Sequence, residues 1–288
     1  MRGMRRFLFV VILASISASV YTLGLPQQVA ADNVVRFAAI GDMGTGKKAQ
    51  FEVAAAMEGA RAAFPFDVVI MLGDNIYGGN TARDFLNKFE LPYKALLDAG
   101  VSFYASLGNH DSRAQSVAYK PFHMNDKQYY TFTKGNVQFF ALDSNYMTPQ
   151  ELTWLEAELA TSTADWKIPF FHHPLYSSAN FHGSAVEVRL LLEPLFVKYG
   201  VQVVFAGHEH VYERLTPQKG IVYFIEGASG QLRKGNLQRD ASIMAAGYDR
   251  DLSFMLIEVA ADTLTYRAIS RTGVTVDSGS VIRTPATE

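Results

Sequence analysis

The stretch Val34–Gly44 reads VVRFAAIGDMG and joins a mostly apolar run to a short polar cluster. An apolar run that ends at a glycine is typical of a strand buried on both faces, so we predict a strand over Val34–Ile40. Four later apolar runs end in the same way, in the clusters GDNIY (73–77), GNHD (108–111), HHP (172–174) and GHEH (207–210). The pattern predicts an α/β fold whose chemistry lies where strands end.

Helical and extended patterns alternate between these clusters. The predicted helices are Ala49–Ala63, Ala82–Ala99 with an interruption at Pro92, a helix capped by Thr148 that runs to Ala160, and Ala185–Lys198. The other predicted strands are Asp67–Leu72, Val101–Leu107, Tyr129–Thr133, Val137–Asp143, Ile168–His172, Val201–Ala206, Ile221–Glu226, Phe254–Ala260, Thr263–Ser270 and Val274–Val281. Thr148 and Glu151 have the spacing of a capping box. We therefore expect one α/β domain over residues 32–288 with a β-rich C-terminal quarter.

The strand-end clusters contain two aspartates, one asparagine, one tyrosine and three histidines that are candidate metal ligands. These residues are Asp42, Asp74, Tyr77, Asn109, His172, His208 and His210. Loops at the carboxyl ends of strands form the ligand crevice of open α/β sheets, so the seven side chains are expected to meet. Because the chain has no cysteine, disulfides and thiolate metal sites are excluded, and a metal would be held by oxygen and imidazole ligands. Seven such ligands suit two cations that share one carboxylate, for which Asp74 is the best candidate.

The charge of the chain is unevenly distributed. Its net charge is −2, so no basic excess points to nucleic acid or to an anionic membrane as a partner. Residues 1–31 have a basic start, an apolar core and small residues before Asp32, and they are interpreted as a secretory signal cleaved after Ala31. Cleavage would leave 257 residues with a net charge of −5, secreted or periplasmic and without stable membrane association. The alternative is an uncleaved membrane anchor.

One motif favours a different function. Residues 41–47, GDMGTGK, match the phosphate-binding pattern GxxxxGK between a strand and a helix. Lys48 stands where that motif needs a serine or threonine for Mg²⁺, and Asp42 would place a negative charge beside the phosphates. A P-loop nucleotide-binding protein is therefore a distant alternative.

The series GDMG, GDNIY, GNHD, HHP and GHEH resembles the calcineurin-like metallophosphoesterases, and among them the purple acid phosphatases. The wider superfamily begins with Asp-x-His, whereas this chain has Gly44 at the third position and Tyr77 after the second aspartate, as purple acid phosphatases do. The resemblance implies a four-layer α-β-β-α sandwich with mixed sheets and a metal site at the carboxyl ends of the strands. About five residues separate the predicted cleavage site from Phe37, so the small, single-domain form that resembles tartrate-resistant acid phosphatase is expected.

The resemblance also implies a role for each side chain. Asp42, Tyr77 and His210 would hold a first metal, Fe(III), and Asp74 would bridge. A second metal, Fe(II), Zn(II) or Mn(II), would be held by Asn109, His172 and His208. His110 and His182 would contact the phosphate or protonate the leaving group, Asp111 would orient His110, and His173 would face the substrate or support the ligands without binding metal.

The expected activity is that of an acid phosphatase, in which a metal-held hydroxide attacks a small phosphate monoester and His110 or His182 protonates the leaving alkoxide. A phosphodiesterase or nucleotide hydrolase with the same metals is one alternative, and a metal-binding or adhesive protein with a silent site is another. Substrate walls are expected from loops such as Asn125–Gln128 and Gln231–Tyr248.

Overall fold

A computed structural model describes residues 34–283. The predicted signal peptide and its cleavage site lie outside the described residues. The strands are β1 (Val34–Ile40), β2 (Val68–Met71), β3 (Ser102–Ala105), β4 (Tyr130–Lys134), β5 (Val137–Ala141), β6 (Trp166–Phe171), β7 (Val203–Ala206), β8 (Tyr212–Leu215), β9 (Val222–Glu226), β10 (Met244–Tyr248), β11 (Ser253–Ala260), β12 (Thr263–Ser270) and β13 (Thr275–Ile282). The α-helices are α1 (Lys48–Arg61), α2 (Ala82–Phe85), α3 (Lys94–Asp98), α4 (Arg113–Ala118), α5 (Pro149–Thr161) and α6 (Val186–Lys198).

The strands form two mixed sheets. The first sheet has the order β13-β12-β11-β1-β2-β3, with β1, β2 and β3 parallel and the three C-terminal strands antiparallel. The second sheet has the order β10-β8-β9-β7-β6-β5-β4, in which β5, β6, β7 and β9 are parallel. Within the parallel part of each sheet, the carboxyl ends of the strands therefore lie along one edge.

The two sheets pack face to face through aromatic side chains. The ring of Phe37 on β1 lies edge-on to Phe139 on β5, with centroids 5.1 Å apart, and 5.9 Å from Phe205 on β7. Successive residues of a strand point to opposite faces, so Phe140 instead packs with Leu155 of α5 on the outer face of the second sheet.

Helix α1 covers the outer face of the first sheet, where Val53 and Met57 join the core. Helices α5 and α6 cover the second sheet, where Leu159 and Phe196 are buried. The four-layer α-β-β-α sandwich expected from the sequence is confirmed.

Most predicted strands agree with the structure within two residues, and three regions differ. Strands β8 and β10 and helix α4 were not predicted, because their sequences (YERL, MAAGY and RAQSVA) have no clear apolar period. The predicted helix over Ala82–Ala99 with its interruption at Pro92 is present: α2 continues as a π-helical turn over Leu86–Glu90, the helix breaks near Pro92, and α3 follows. Strand β8 joins the layers, because Tyr212 and Arg214 both donate hydrogen bonds to Asp277 on β13.

The predicted capping box of α5 is only half present. The Thr148 side chain accepts a hydrogen bond from the Glu151 N–H, as expected. The buried Glu151 carboxylate does not return the bond to Thr148 and accepts instead from the Asp143 N–H at 2.8 Å. Burial raises the pKa of Glu151 to about 8. Glu151 thus fixes the chain immediately after β5.

Phe37→Ala should destabilise the protein by roughly 3–5 kcal/mol, because it opens a cavity between the two sheets where no helix can move in to fill it. Chemical denaturation followed by circular dichroism measures the change. The half-exposed Phe51 of α1 supplies the control, since Phe51→Ala should change stability by no more than about 0.5 kcal/mol. Equal effects of the two substitutions would contradict the packing described for Phe37.

Candidate metal centre

The five polar clusters meet at the edge of the sandwich where the two sheets come together. Asp42, Asp74 and Asn109 follow β1, β2 and β3 of the first sheet. His172 follows β6, and His208 follows β7, in the second sheet. Each sheet therefore supplies part of one side-chain cluster, as the positions of the motifs predicted.

The first group of ligand atoms forms a triangle. The Tyr77 hydroxyl lies 3.1 Å from Oδ1 of Asp42 and 3.3 Å from Nε2 of His210. The same His210 nitrogen lies 3.3 Å from Oδ1 of Asp42. All three side chains therefore turn one ligand atom towards a common point.

A second group converges on Nε2 of His172. Oδ1 of Asn109 and Nδ1 of His208 each lie 3.0 Å from this nitrogen, and Oδ1 of Asp74 lies 3.5 Å from it. The other nitrogen, Nδ1, lies 2.9 Å from the Leu72 carbonyl oxygen, to which it donates its proton. Nε2 of the neutral ring then carries a lone pair directed at the other ligand atoms, which is the orientation found in metal-ligating histidines.

Asp74 connects the two groups. Besides its contact with His172, it has a carboxylate oxygen within 4.8 Å of ligand atoms of both Asp42 and His210. Its Oδ1 accepts a hydrogen bond from the His110 N–H at 2.9 Å. A Cβ atom at Gly108 would overlap this carboxylate and the Asp74 backbone nitrogen, so glycine is required there.

The backbone is strained at three of these positions. Asp42, Asp74 and His208 have φ angles of 55°, 52° and 70°, in the left-handed region that is unfavourable for residues other than glycine. Each such residue costs of the order of 1–2 kcal/mol. All three lie in the turn directly after a strand, where this conformation directs the side chain into the cluster.

The electrostatics of the cluster suit cations. Burial raises the pKa of Asp42 well above its usual value, and the nearby Asp74 carboxylate raises it further. Burial lowers the pKa of His172, His208 and His210, the last to about 4, so their nitrogens remain unprotonated. Buried acids beside neutral imidazoles, with no sulfur, fit one or two hard or borderline metal ions.

The remaining predicted site residues lie around this cluster. His110 is exposed, and its ring is 4.8 Å from that of Tyr77. His173 donates its N–H to Ser144 Oγ and shares another hydrogen bond with it through Nδ1. One ring nitrogen of His173 lies within 4.8 Å of ligand atoms of His172 and His208. His173 is therefore close enough to contact the ligands as well as a substrate.

Asp111 joins two loops of the site. Its carboxylate accepts hydrogen bonds from the N–H groups of Gly108, Asn75 and Ile76 and from the Asn75 side chain. Burial raises the pKa of Asp111 to about 7. These bonds hold the GDNIY loop against the GNHD loop, and orientation of His110 by Asp111 stays a prediction.

His182 lies against the cluster because Glu209 holds its loop. Its ring stacks on His208 with centroids 3.9 Å apart. The fully buried Glu209 accepts hydrogen bonds from the N–H groups of His182 and Gly183 and from the Asn236 side chain. Glu209 has no predicted role, although an acid between the two expected ligands His208 and His210 is a signal in the motif GHEH.

Arg233 is a second residue that sequence reasoning missed. Its N–H donates to the His210 carbonyl oxygen, and its guanidinium lies 3.4 Å from Nδ1 of His182 and 3.6 Å from the centre of the Phe181 ring. The positive charge of Arg233 adds to the lowering of the His210 pKa by burial, and it partly opposes the rise that burial and Asp74 cause in the pKa of Asp42. Arg233 belongs to the loop 231–248 that was expected to form a substrate wall.

Comparison with known proteins identifies the family. Residues 35–212 match the family described as calcineurin-like phosphoesterase. The chain belongs to this family.

The wider comparisons agree with that assignment. The chain is 26% identical to the tartrate-resistant acid phosphatase type 5 of Oryctolagus cuniculus over 264 residues, which cover 77% of this chain and 81% of the relative. It is 30% identical to purple acid phosphatase 5 of Arabidopsis thaliana, over 68% of this chain and 56% of that protein. The solved purple acid phosphatase PPD1 of Lupinus luteus has the same fold, with a TM-score of 0.73, 20% identity, and coverage of 91% of this chain and 55% of that one. The predicted resemblance to purple acid phosphatases is confirmed.

The loop after β1 of this calcineurin-like phosphoesterase does not have the backbone of a P-loop. The N–H groups of Gly44, Thr45, Gly46 and Lys47 donate to acceptors of the protein itself, among them the Asp74 carbonyl and the Gln50 side chain. N–H groups engaged in this way are not available to surround phosphates. The geometry therefore argues against the alternative of a P-loop nucleotide-binding protein.

Asp42→Asn should have opposite effects on the metal-free and the metal-loaded phosphoesterase. Without metal, at an alkaline pH where Asp42 ionises in spite of its raised pKa, the neutral amide removes a buried charge next to Asp74, so we expect the melting temperature to rise by ~2–4 °C, which corresponds to about 1 kcal/mol. With metal, the variant should lose most of the stabilisation that the metal confers on the wild type.

Calorimetry with a chelator and with added Fe or Mn measures both effects. Asp98→Asn, which changes an exposed aspartate of α3, is the control and should leave both melting temperatures unchanged. A variant that responds to metal as the wild type does would contradict the assignment of Asp42 as a ligand.

Proposed function

We propose that this phosphoesterase is a binuclear-metal acid phosphatase that hydrolyses small phosphate monoesters. The observation that carries the proposal is the sharing of Asp74 between two groups of ligand atoms, one around His172 and one around Tyr77. Two cations that shared one carboxylate would stabilise the attacking and leaving oxygens of a phosphoryl transfer. The acid phosphatase names of its relatives support the same class of reaction.

The donor atoms distinguish the two halves of the site. Asp42, Tyr77 and His210 would hold the first metal, and a buried phenol among carboxylates ionises only beside a strong positive charge, because burial raises the pKa of Tyr77. This favours Fe(III) in the first half. Asn109, His172 and His208 have no anionic group of their own and suit Fe(II), Zn(II) or Mn(II). When bound, the metals would supply Lewis acidity and lower the pKa of water.

The protein's own side chains would bind the phosphate and move the proton. His110 is exposed at the mouth of the site and is free to donate a proton to the leaving alkoxide. His182 reaches the same mouth by its stacking on His208, and the Arg233 guanidinium beside it would attract the anionic phosphate. Glu209 acts as a positioning residue, because it fixes the backbone of His182.

The same residues bear on two alternatives to the phosphatase function. A silent, adhesive site is disfavoured, because all seven predicted ligand residues are present and strained residues are retained where glycine would relax the turn. A phosphodiesterase would use the same metals, so the comparison of p-nitrophenyl phosphate with bis(p-nitrophenyl) phosphate distinguishes it. We expect the monoester to be hydrolysed faster.

We further propose that the protein acts in the periplasm or outside the cell after cleavage of residues 1–31, with an uncleaved anchor as the alternative. This rests on the charge and composition of that segment. In the part of the chain from 34 to 283, none of the helices is long and apolar enough to cross a membrane.

Asp74→Asn should lower the kcat/KM for p-nitrophenyl phosphate by more than about a hundredfold, since even residues that only support metal ligands are worth 10–100-fold. The metal content measured by mass spectrometry should fall below two ions per chain. Asp98→Asn is again the matched control. Full activity and two bound ions in the Asp74 variant would exclude a shared carboxylate.

Tyr77→Phe should abolish the visible absorption that a tyrosinate–Fe(III) pair gives to the purified protein. The spectrum of the iron-loaded protein records this directly. Tyr199→Phe removes a phenol at the end of α6 and should keep the colour. A colourless protein that is fully active with manganese alone would leave the two-metal hydrolysis intact but reject Fe(III) at Tyr77.

A further inference from the structure

A cavity of about 420 Å³ opens beside the second group of ligands. It is lined by the proposed metal ligand Asn109 and by Asp111, Arg113, Asn145, Tyr146 and His173. A phosphate bound at the centre therefore has this space next to it, on the side of Asn109. The proposed activity leaves the cavity without a role.

The outer wall of the cavity is an exposed aromatic ring. Tyr146 is 69% exposed and lies in the loop that follows β5, after the buried residues Leu142, Asp143 and Ser144. The Arg113 guanidinium lies over its ring, 4.5 Å from the centroid. A tyrosine ring backed by a guanidinium offers a flat, polarisable surface of the kind that binds aromatic groups by stacking.

Buried polar contacts hold this wall in place. Asp143, whose side chain is 1% exposed, contacts Nη2 of Arg113 at 2.7 Å through one oxygen. Its other oxygen accepts hydrogen bonds from the N–H and Nδ2 of Asn145, and Glu151 fixes the Asp143 N–H. The wall is therefore preformed, which reduces the entropy lost when a ligand binds.

The charges of the wall indicate which part of a substrate it meets. Asp143 already neutralises the Arg113 guanidinium, so the wall is poorly suited to a second phosphate and well suited to a neutral ring. The volume of the cavity lies in the range of sites for ligands larger than a single phenyl group. Bases stack on aromatic side chains and on guanidinium planes in many nucleotide-binding sites.

We propose that this cavity is a leaving-group subsite that takes the base of a nucleoside 5′-phosphate, with Tyr146 as the stacking surface. The proposal rests on the proposed phosphatase function and narrows its substrate class. Tyr146 determines specificity and takes no part in the transfer of the phosphoryl group. Ribose 5-phosphate has the same phosphate and sugar as AMP but no base, so the pair isolates the contribution of the cavity.

The experiment compares kcat/KM for AMP and ribose 5-phosphate in the metal-loaded protein. The wild type should have a kcat/KM for AMP at least about tenfold higher than for ribose 5-phosphate. Tyr146→Ala should lower this ratio by roughly tenfold. In the same variant, hydrolysis of ribose 5-phosphate and inhibition by inorganic phosphate should stay unchanged. Tyr146→Phe keeps the ring and should retain the preference. Phe51→Ala, which removes a half-exposed aromatic ring from α1, should have no effect on the ratio.

A binding measurement separates this proposal from the proposed function. Calorimetric titration with the non-hydrolysable phosphonate analogues of AMP and ribose 5-phosphate should show the same tenfold difference, lost in Tyr146→Ala. If binding shows the difference but neither phosphate is hydrolysed, the phosphatase proposal fails and the subsite stands. Equal affinities in the wild type, or a preference unchanged by Tyr146→Ala, would overturn the subsite.

Discussion

Two buried carboxylates, Asp42 and Asp74, lie with oxygens within 4.8 Å of each other at the edge where the sheets meet. Buried like charges are unfavourable unless they are neutralised by protons or by cations. The surrounding groups favour cations, since the adjacent imidazoles are kept neutral by burial and direct lone pairs at the same point. The strained turns, the close glycine at position 108 and the buried Glu209 all serve to keep these atoms together.

The ligands come from both sheets, and this has an energetic meaning. Asp42, Asp74 and Asn109 belong to the first sheet, whereas His172 and His208 belong to the second. A cation held by both would add its binding free energy to the packing between the layers. Phe37 and its aromatic neighbours supply the apolar part of the same interface, so a bound metal would stabilise the packing that these rings begin.

The candidate metal ligands were easier to predict from the sequence than the residues that surround them, and the reason is physical. Parallel strands buried on both faces are continuous apolar runs, so the ends of β1, β2 and β3, and the ligands that follow them, were evident. The strand β8 and the contact of Glu151 with Asp143 depend on tertiary partners that no local pattern encodes. Arg233 and Tyr146 lie in loops without periodicity, and only the fold brings them to the mouth of the site.

At Asp42, Asp74 and His208, the left-handed backbone and the binding of metal favour different residue types. The backbone at these positions favours glycine, whereas the metals require a side chain that only Asp or His provides there. While the activity is under selection, the ligand requirement prevails and the protein bears the conformational cost. In a lineage that no longer bound metal, substitutions to glycine or asparagine would accumulate at these positions. The fold would then become more stable while the catalytic activity was lost.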